Sequence, residues 1–175
     1  MDAVAAIAIF LRVAVNGTLA GRQFARIIGY AMTQAPRYEP SNIFAKILRG
    51  EIPCHKVFED AHTIAFMDVM PQSPGHILVV PKAASRNLMD ADPTVLARLL
   101  PVAQTIAKAA KTALQADGIS LMQYNEAAGG QSVYHLHVHV IPRYEGVAIK
   151  PHTGQMEKPD ILAAHAAKIR AALGS

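Results

Sequence analysis

The run His135-Leu136-His137-Val138-His139 alternates three imidazoles with apolar residues, and Val140 continues the pattern. Side chains on a β-strand point alternately to opposite faces. The alternation predicts a strand over 133–141, with the three histidines on one face and Leu136, Val138 and Val140 in a core on the other. Successive histidines would stand about 6.5–7 Å apart, at about 3.3 Å rise per residue. Such a row is a set of bases and nucleophiles that titrate near neutral pH, held on a rigid element. Just upstream lies Gly129-Gly130-Gln131-Ser132-Val133-Tyr134. Glycines let backbone approach an anion closely, and Gln131 and Ser132 add side-chain donors. Donors beside a histidine row suit a phosphate held against a nucleophile. Two plainer readings compete: a structural histidine ladder, and a three-histidine metal site, since His-x-His on a strand can chelate zinc. A catalytic zinc usually takes a ligand from another strand and a carboxylate behind its histidines. The neighbouring sequence offers Gln and Ser instead.

Composition sets the outer limits. A chain of 175 residues fits one domain with a tail, and 51% hydrophobic residues suffice to fill its core. The net charge is +4, but Lys and Arg are scattered without a run of five, so no nucleic-acid-binding stripe is predicted. The mild positive balance suits an anionic nucleotide. A single cysteine, Cys54, excludes an internal disulfide and reads as a small buried hydrophobe or a surface thiol.

Residues 1–40 read as an N-terminal extension, and residues 41–175 as the domain with a C-terminal helix. The stretch 1–20 is rich in Ala, Val and Ile, but Arg12 and Asn16 interrupt it short of a membrane span. It lacks the positive start of a secretory signal, so a cytoplasmic location is expected. Arg12, Arg22 and Arg26 faintly match an organellar import segment, which stays open as the alternative. Residues 1–31 read either as a targeting or packing segment or as an extension upstream of a start at Met32.

From Ser41 onward the chain alternates short elements. Ser41 is the expected N-cap of a helix to Arg49, with Gly50 ending it. Strands are predicted over 56–59 and 63–68, joined by a turn at Asp60-Ala61-His62. Pro71, Pro74 and Gly75 mark a loop before an apolar strand over 76–80, which stops at Pro81. Asp92-Pro93 caps and opens a helix to about Gln115, with a kink expected at Pro101. A strand over 119–124 and a helix over 160–173 complete the pattern. Without strict βαβ order, the fold class is α+β with a mainly antiparallel sheet.

Three segments carry a resemblance. GGQSVYHLHVHVIPRY (129–144) resembles the signature of the histidine-triad (HIT) nucleotide-binding family. NIFAKILRGEIP (42–53) and AFMDVMPQSPGHILVVPK (65–82) match the family's other two characteristic segments in order and spacing. The resemblance implies a five-stranded sheet with two main helices, a homodimer whose sheets abut, and no cofactor. GGQSVYH is most similar to the purine nucleoside phosphoramidase-like branch. That branch cleaves the α-phosphate bond of nucleoside phosphoramidates or related adenylates through a nucleotidyl-histidine, releasing an AMP-type product. Diadenosine polyphosphate hydrolysis, or nucleotide binding with weak hydrolysis, are the alternatives.

Carried over residue by residue, the resemblance makes His137 the nucleophile, oriented by the carbonyl of His135. His139 would bind phosphoryl oxygens, Ser132 and Gln131 the phosphate or the leaving atom, and His76 would sit behind the triad. Asp68 would accept both ribose hydroxyls, and Ile43, Phe44, Ile47, Phe66 and Val69 would wall the base. For Ile47 plain core packing is nearly as good a reading, and His76 can be a satisfied buried histidine as well. The family's amide position falls on Asn125 or Tyr124, because the loop to Gln131 is one residue short. His152 is a weaker substrate contact, while His55, His62 and His165 match no functional position. Many bacterial members hold structural zinc with Cys-x-x-Cys and a later histidine. Here those positions are Asn42, Ala45 and Ala84, so no metal is expected and packing should hold that corner.

Overall fold

The computed structural model describes residues 37–151 and 154–174. The readings placed on 1–36 and on His152 lie outside the described residues. A separate compact unit begins at Tyr38, so Tyr38, Glu39 and Pro40 belong to the domain and not to the segment before it.

Five strands form one antiparallel sheet in the order β1-β2-β3-β5-β4. They are β1 (Lys56–Glu59), β2 (Thr63–Met67), β3 (Ile77–Pro81), β4 (Gly118–Met122) and β5 (Val138–Arg143). Among the described residues three α-helices accompany them: α1 (Ile43–Leu48), α2 (Pro93–Ala113) and α3 (Pro159–Leu173). The expected α+β architecture with two main helices is therefore present. Among the described residues, no helix is long and apolar enough to cross a membrane.

Period-2 alternation sorts the strand residues onto two faces. Ala65, Met67, Ile77, Val79, Val138 and Val140 meet the buried stripes of α2 (Leu99, Ala103, Ile106, Ala110) and α3 (Leu162, Ala166, Ile169). Both stripes recur at the three- and four-residue spacing of a helix face. On the opposite face, Ile64, Phe66, Leu78 and Val80 pack with Phe44 of α1. His139 pairs with Leu78 and Met122 across the ladder, which puts it on this second face.

Several boundaries differ from the sequence reading. The histidine strand begins at Val138, not at residue 133: the chain bends over 133–135, and the Leu136 N–H donates to the Ser85 carbonyl. Only His139 of the triad is therefore a β5 residue. The cap of α1 is Asn42, not Ser41; its side chain accepts from the Ala45 N–H at 2.9 Å. The same amide donates to the Glu39 carbonyl at 2.6 Å, and Arg49 donates to the Pro40 carbonyl at 2.9 Å. Hydrogen bonds, and not packing alone, thus hold the corner formed by Asn42 and Ala45. The Asp92 cap and Pro93 start of α2 are as expected, and that helix continues through Pro101. Gly75 is favoured where it stands. Its φ is +81°, a conformation strained for any residue with a Cβ, and a Cβ there would also have to displace the end of the Leu114 side chain, so glycine suits the loop that delivers His76 to the sheet.

Candidate active site

On the α1 side of the sheet lies a cavity of about 340 Å³. Its lining includes Ile43, Phe44, Ile47, Phe66, Asp68, Val69, Ser132, His137 and His139 from the sequence prediction. Phe44 and Phe66 are buried and meet edge to face at 5.5 Å. Ile43 and Val69 stand half-exposed at the rim. Apolar side chains thus form one side of the cavity, and Asp68, Ser132, His137 and His139 gather on the other.

The tautomers follow from hydrogen-bond partners. His137 Nδ1 lies 2.6 Å from the His135 carbonyl oxygen, which can only accept. Nδ1 therefore carries the proton, and in the neutral ring Nε2 holds the lone pair. Phe44 packs edge-on against the His137 ring at 5.0 Å and fixes its plane. His139 meets the His137 ring edge-on, with ring centres 4.8 Å apart. His139 Nδ1 lies 2.9 Å from His76 Nε2 in a buried contact. The Gln72 N–H points at His76 Nδ1 from 3.2 Å, which makes Nδ1 an acceptor. His76 Nε2–H then donates to His139 Nδ1, and His139 carries its own proton on Nε2. Asp68 Oδ2 lies 3.4 Å from His76 Nδ1, longer than the Gln72 contact, while Asp68 Oδ1 accepts from the Met70 N–H at 2.9 Å.

Asp68, His76 and His139 also offer three ligand atoms within 4.8 Å of one another. The 2.9 Å bond between the two imidazoles already uses one nitrogen of each, so His76 and His139 are joined as a hydrogen-bonded pair.

Not every predicted residue reaches the cavity. His135 is fully buried and faces away from it: Nε2 lies 2.8 Å from the Pro81 carbonyl and Nδ1 2.7 Å from the Tyr38 hydroxyl. Burial pushes its pKa below the ordinary histidine value, only partly offset by the Pro81 bond. Gln131 spends its amide on the loop, donating to the Arg86 and Val133 carbonyls and accepting from the Glu126 N–H. Asn125 accepts from the Leu88 N–H and pairs with Gln123, outside the cavity lining. Tyr124, the alternative at that position, packs edge-on against His139 at 5.4 Å.

Sequence reasoning missed three groups of residues. Tyr38 reaches the triad from outside every matching motif. Met156 lines the cavity mouth because the Glu157 N–H bonds the Val69 carbonyl at 2.8 Å. Arg86 grips Glu126 through two bonds of 3.0 and 2.8 Å, with Asn87 adding a third, so the loop before Ser132 is clamped. That clamp holds the Glu126 carboxyl below its usual range. Outside the site, His62 meets Arg98 at 3.0 Å, and His165 sits on α3 with its pKa lowered by burial.

The family model of the HIT domain matches residues 49–146, more than half of the chain and the whole triad segment. The chain belongs to the HIT family. Among curated relatives, it is 39% identical over 103 residues to "Adenylylsulfatase HINT3" of Arabidopsis thaliana, a match covering 59% of this chain. The matched part spans about half of that plant protein, 52%. It is 34% identical over 124 residues to "Protein hit" of Bacillus subtilis, covering 68% of this chain and 86% of that one. Solved HIT structures share the fold. A Hit-like protein involved in cell-cycle regulation from Bartonella henselae is 55% identical with a TM-score of 0.76, over 78% of this chain and 99% of that one. A Zn-bound histidine triad protein from Mycobacterium smegmatis is 33% identical with a TM-score of 0.69, over 77% and 94%. This HIT protein is thus a nucleotide-binding protein of hydrolase type.

Proposed function

We propose that this HIT protein hydrolyses nucleoside phosphoramidates or related adenylates at the α-phosphate, through a nucleotidyl-His137 intermediate. The observation that carries this reading is the 2.6 Å bond from His137 Nδ1 to the His135 carbonyl. In the neutral ring it puts the lone pair on Nε2, on a ring that lines the cavity, and a neutral imidazole needs no prior deprotonation to attack phosphorus.

The base lies between Phe44, Phe66 and the rim residues Ile43 and Val69, and Asp68 accepts from the ribose hydroxyls. His139 Nε2–H donates to a phosphoryl oxygen, and His76 holds that tautomer from behind. His137 Nε2 forms a bond to the α-phosphorus while the phosphorus–nitrogen bond breaks. The departing amine takes up a proton from solvent at the exposed side of the cavity, where Ser132 lies, and the water of the second step returns one to solvent. Water then attacks the same phosphorus, the phosphorus–His137 bond breaks, and nucleoside monophosphate leaves. Gln131 acts by holding the loop and not by touching phosphate.

The plant relative's name describes cleavage of an adenylyl sulfate, which supports an adenylate with a variable leaving group. The test is a panel of adenosine phosphoramidate, adenylated lysine, adenylyl sulfate and diadenosine tetraphosphate, with AMP release as the readout. Fastest release from the phosphoramidate or the adenylates is expected. A preference for diadenosine tetraphosphate would move the protein to the polyphosphate branch, and no AMP from any of them would leave a binding protein.

A further inference from the structure

Tyr38 stands eleven residues before the matched HIT segment, yet its hydroxyl lies 2.7 Å from His135 Nδ1. The other nitrogen of that ring settles who donates. His135 Nε2 lies 2.8 Å from the Pro81 carbonyl oxygen, which accepts only, so Nε2 carries the proton. In a neutral imidazole Nδ1 then holds a lone pair, and the Tyr38 hydroxyl is its donor. The ring is fully buried, so no water can replace that donor without opening the core. Tyr38 also packs edge-on against the ring at 5.4 Å.

This fixation matters because of where His135 sits. Residues 133–135 bend and lie outside the β5 ladder, and the peptide that carries the His135 carbonyl is tied on the backbone by the Leu136 N–H bond to the Ser85 carbonyl. The carbonyl that orients His137 therefore belongs to a residue tied at its peptide by Ser85 and through its side chain by Pro81 on one nitrogen and Tyr38 on the other. We infer that Tyr38 is a positioning residue for the nucleophile: by fixing His135, it fixes the carbonyl that aims His137. The inference rests on the proposed role of His137 for its kinetic consequence, but not for the hydrogen-bond assignment.

The test compares wild type with Tyr38→Phe, which keeps the ring and deletes the donor. Two-bond ¹H–¹⁵N spectra of wild type should show His135 protonated on Nε2, with Nδ1 hydrogen-bonded. In Tyr38→Phe the Nδ1 resonance should move toward that of an unbonded imidazole nitrogen. Single-turnover nucleotidyl transfer from adenosine phosphoramidate should slow about tenfold or more, since small misplacements of a reacting group carry costs of that size. The Kd for AMP should stay within about twofold, because Tyr38 lies outside the cavity lining. His135 protonated on Nδ1 in wild type would overturn the assignment. An unchanged transfer rate, or equal losses of rate and AMP affinity with a lowered Tm, would overturn the positioning role. If wild type transfers no nucleotide at all, the proposed function has failed instead, and the spectra alone decide the Tyr38 contact.

Discussion

The two faces of the central sheet are equally buried but are held by different forces. On the helix face, Ile77, Val79, Val138 and Val140 are dry and are secured by packing against α2 and α3. On the other face, His76, His135, His137 and His139 are as deeply buried, yet each is fixed by a directed bond to a named partner. Packing tolerates a change of shape at moderate cost, whereas a relay of directed bonds fails when one donor is lost. Stability should therefore reside chiefly on the helix face and chemistry on the histidine face.

Substitutions can break that division. The largest effect is expected for His137→Ala, which should lower kcat on the order of 10³-fold or more while AMP still binds. Ile106→Ala, on the helix face, should cost about 2–5 kcal/mol in urea or thermal melts. Its kcat per folded molecule should not change. If Ile106→Ala abolished turnover in the folded enzyme, or His137→Ala unfolded it, the two faces would not be separable in this way.

Within the histidine face, Asp68 sharpens the account. Charge-assisted bonds to two ribose hydroxyls are worth about 1.5–3 kcal/mol each at most. Deoxyadenosine substrates should react less efficiently than ribonucleotides, and Asp68→Asn should narrow the gap, as kcat/KM for the pair will report. Equal kinetics for both sugars in wild type would remove Asp68 from sugar selection.

A smaller effect concerns pH. Burial lowers the His135 pKa in the folded state relative to about 6.5 in the unfolded chain. Below that value the unfolded state binds more protons, so folding stability must fall as pH drops. The contribution is complete above about pH 6.5 and is lost progressively down to the folded pKa. Melting curves between pH 7.5 and pH 5, both about one unit or more from that reference value, should show Tm falling on the acid side. Replacing His135 with Gln should flatten that slope. The smallest effect, none, is expected from chelators. Asn42 is a helix cap, Ala45 lies buried behind it, and Ala84 carries no ligand atom. One tightly bound zinc per chain, with activity lost on its removal, would show that Asp68, His76 and His139 serve as ligands.

The contrast between the faces also explains what could be read in advance. Alternation and helical spacing are local, and they announced β1, β2, β3, α2 and α3 to within a residue or two. The Asp92 cap and the turn at Asp60 were legible for the same reason, since each side chain bonds backbone two or three residues away. The histidine face depends on partners far along the chain: Tyr38 and Pro81 for His135, His76 for His139, Arg86 for Glu126. Periodicity contains no trace of those pairings. The HLHVH run looked like a continuous strand because its spacing is right, but Ser85 draws Leu136 out of the ladder. Gln131 looked like a phosphate donor from its neighbourhood, but the Glu126 N–H and Val133 carbonyl of its own loop and the distant Arg86 carbonyl take up the amide.

The central claim is that His137 Nε2 attacks the α-phosphate. Rapid quenching of wild-type enzyme with adenosine phosphoramidate, followed by proteolysis and mass spectrometry, tests it most directly. One adenylyl group on the peptide containing His137, localised to that residue and absent from His137→Ala, is the predicted result. An adenylyl group on any other residue, or undiminished turnover in His137→Ala, would contradict it.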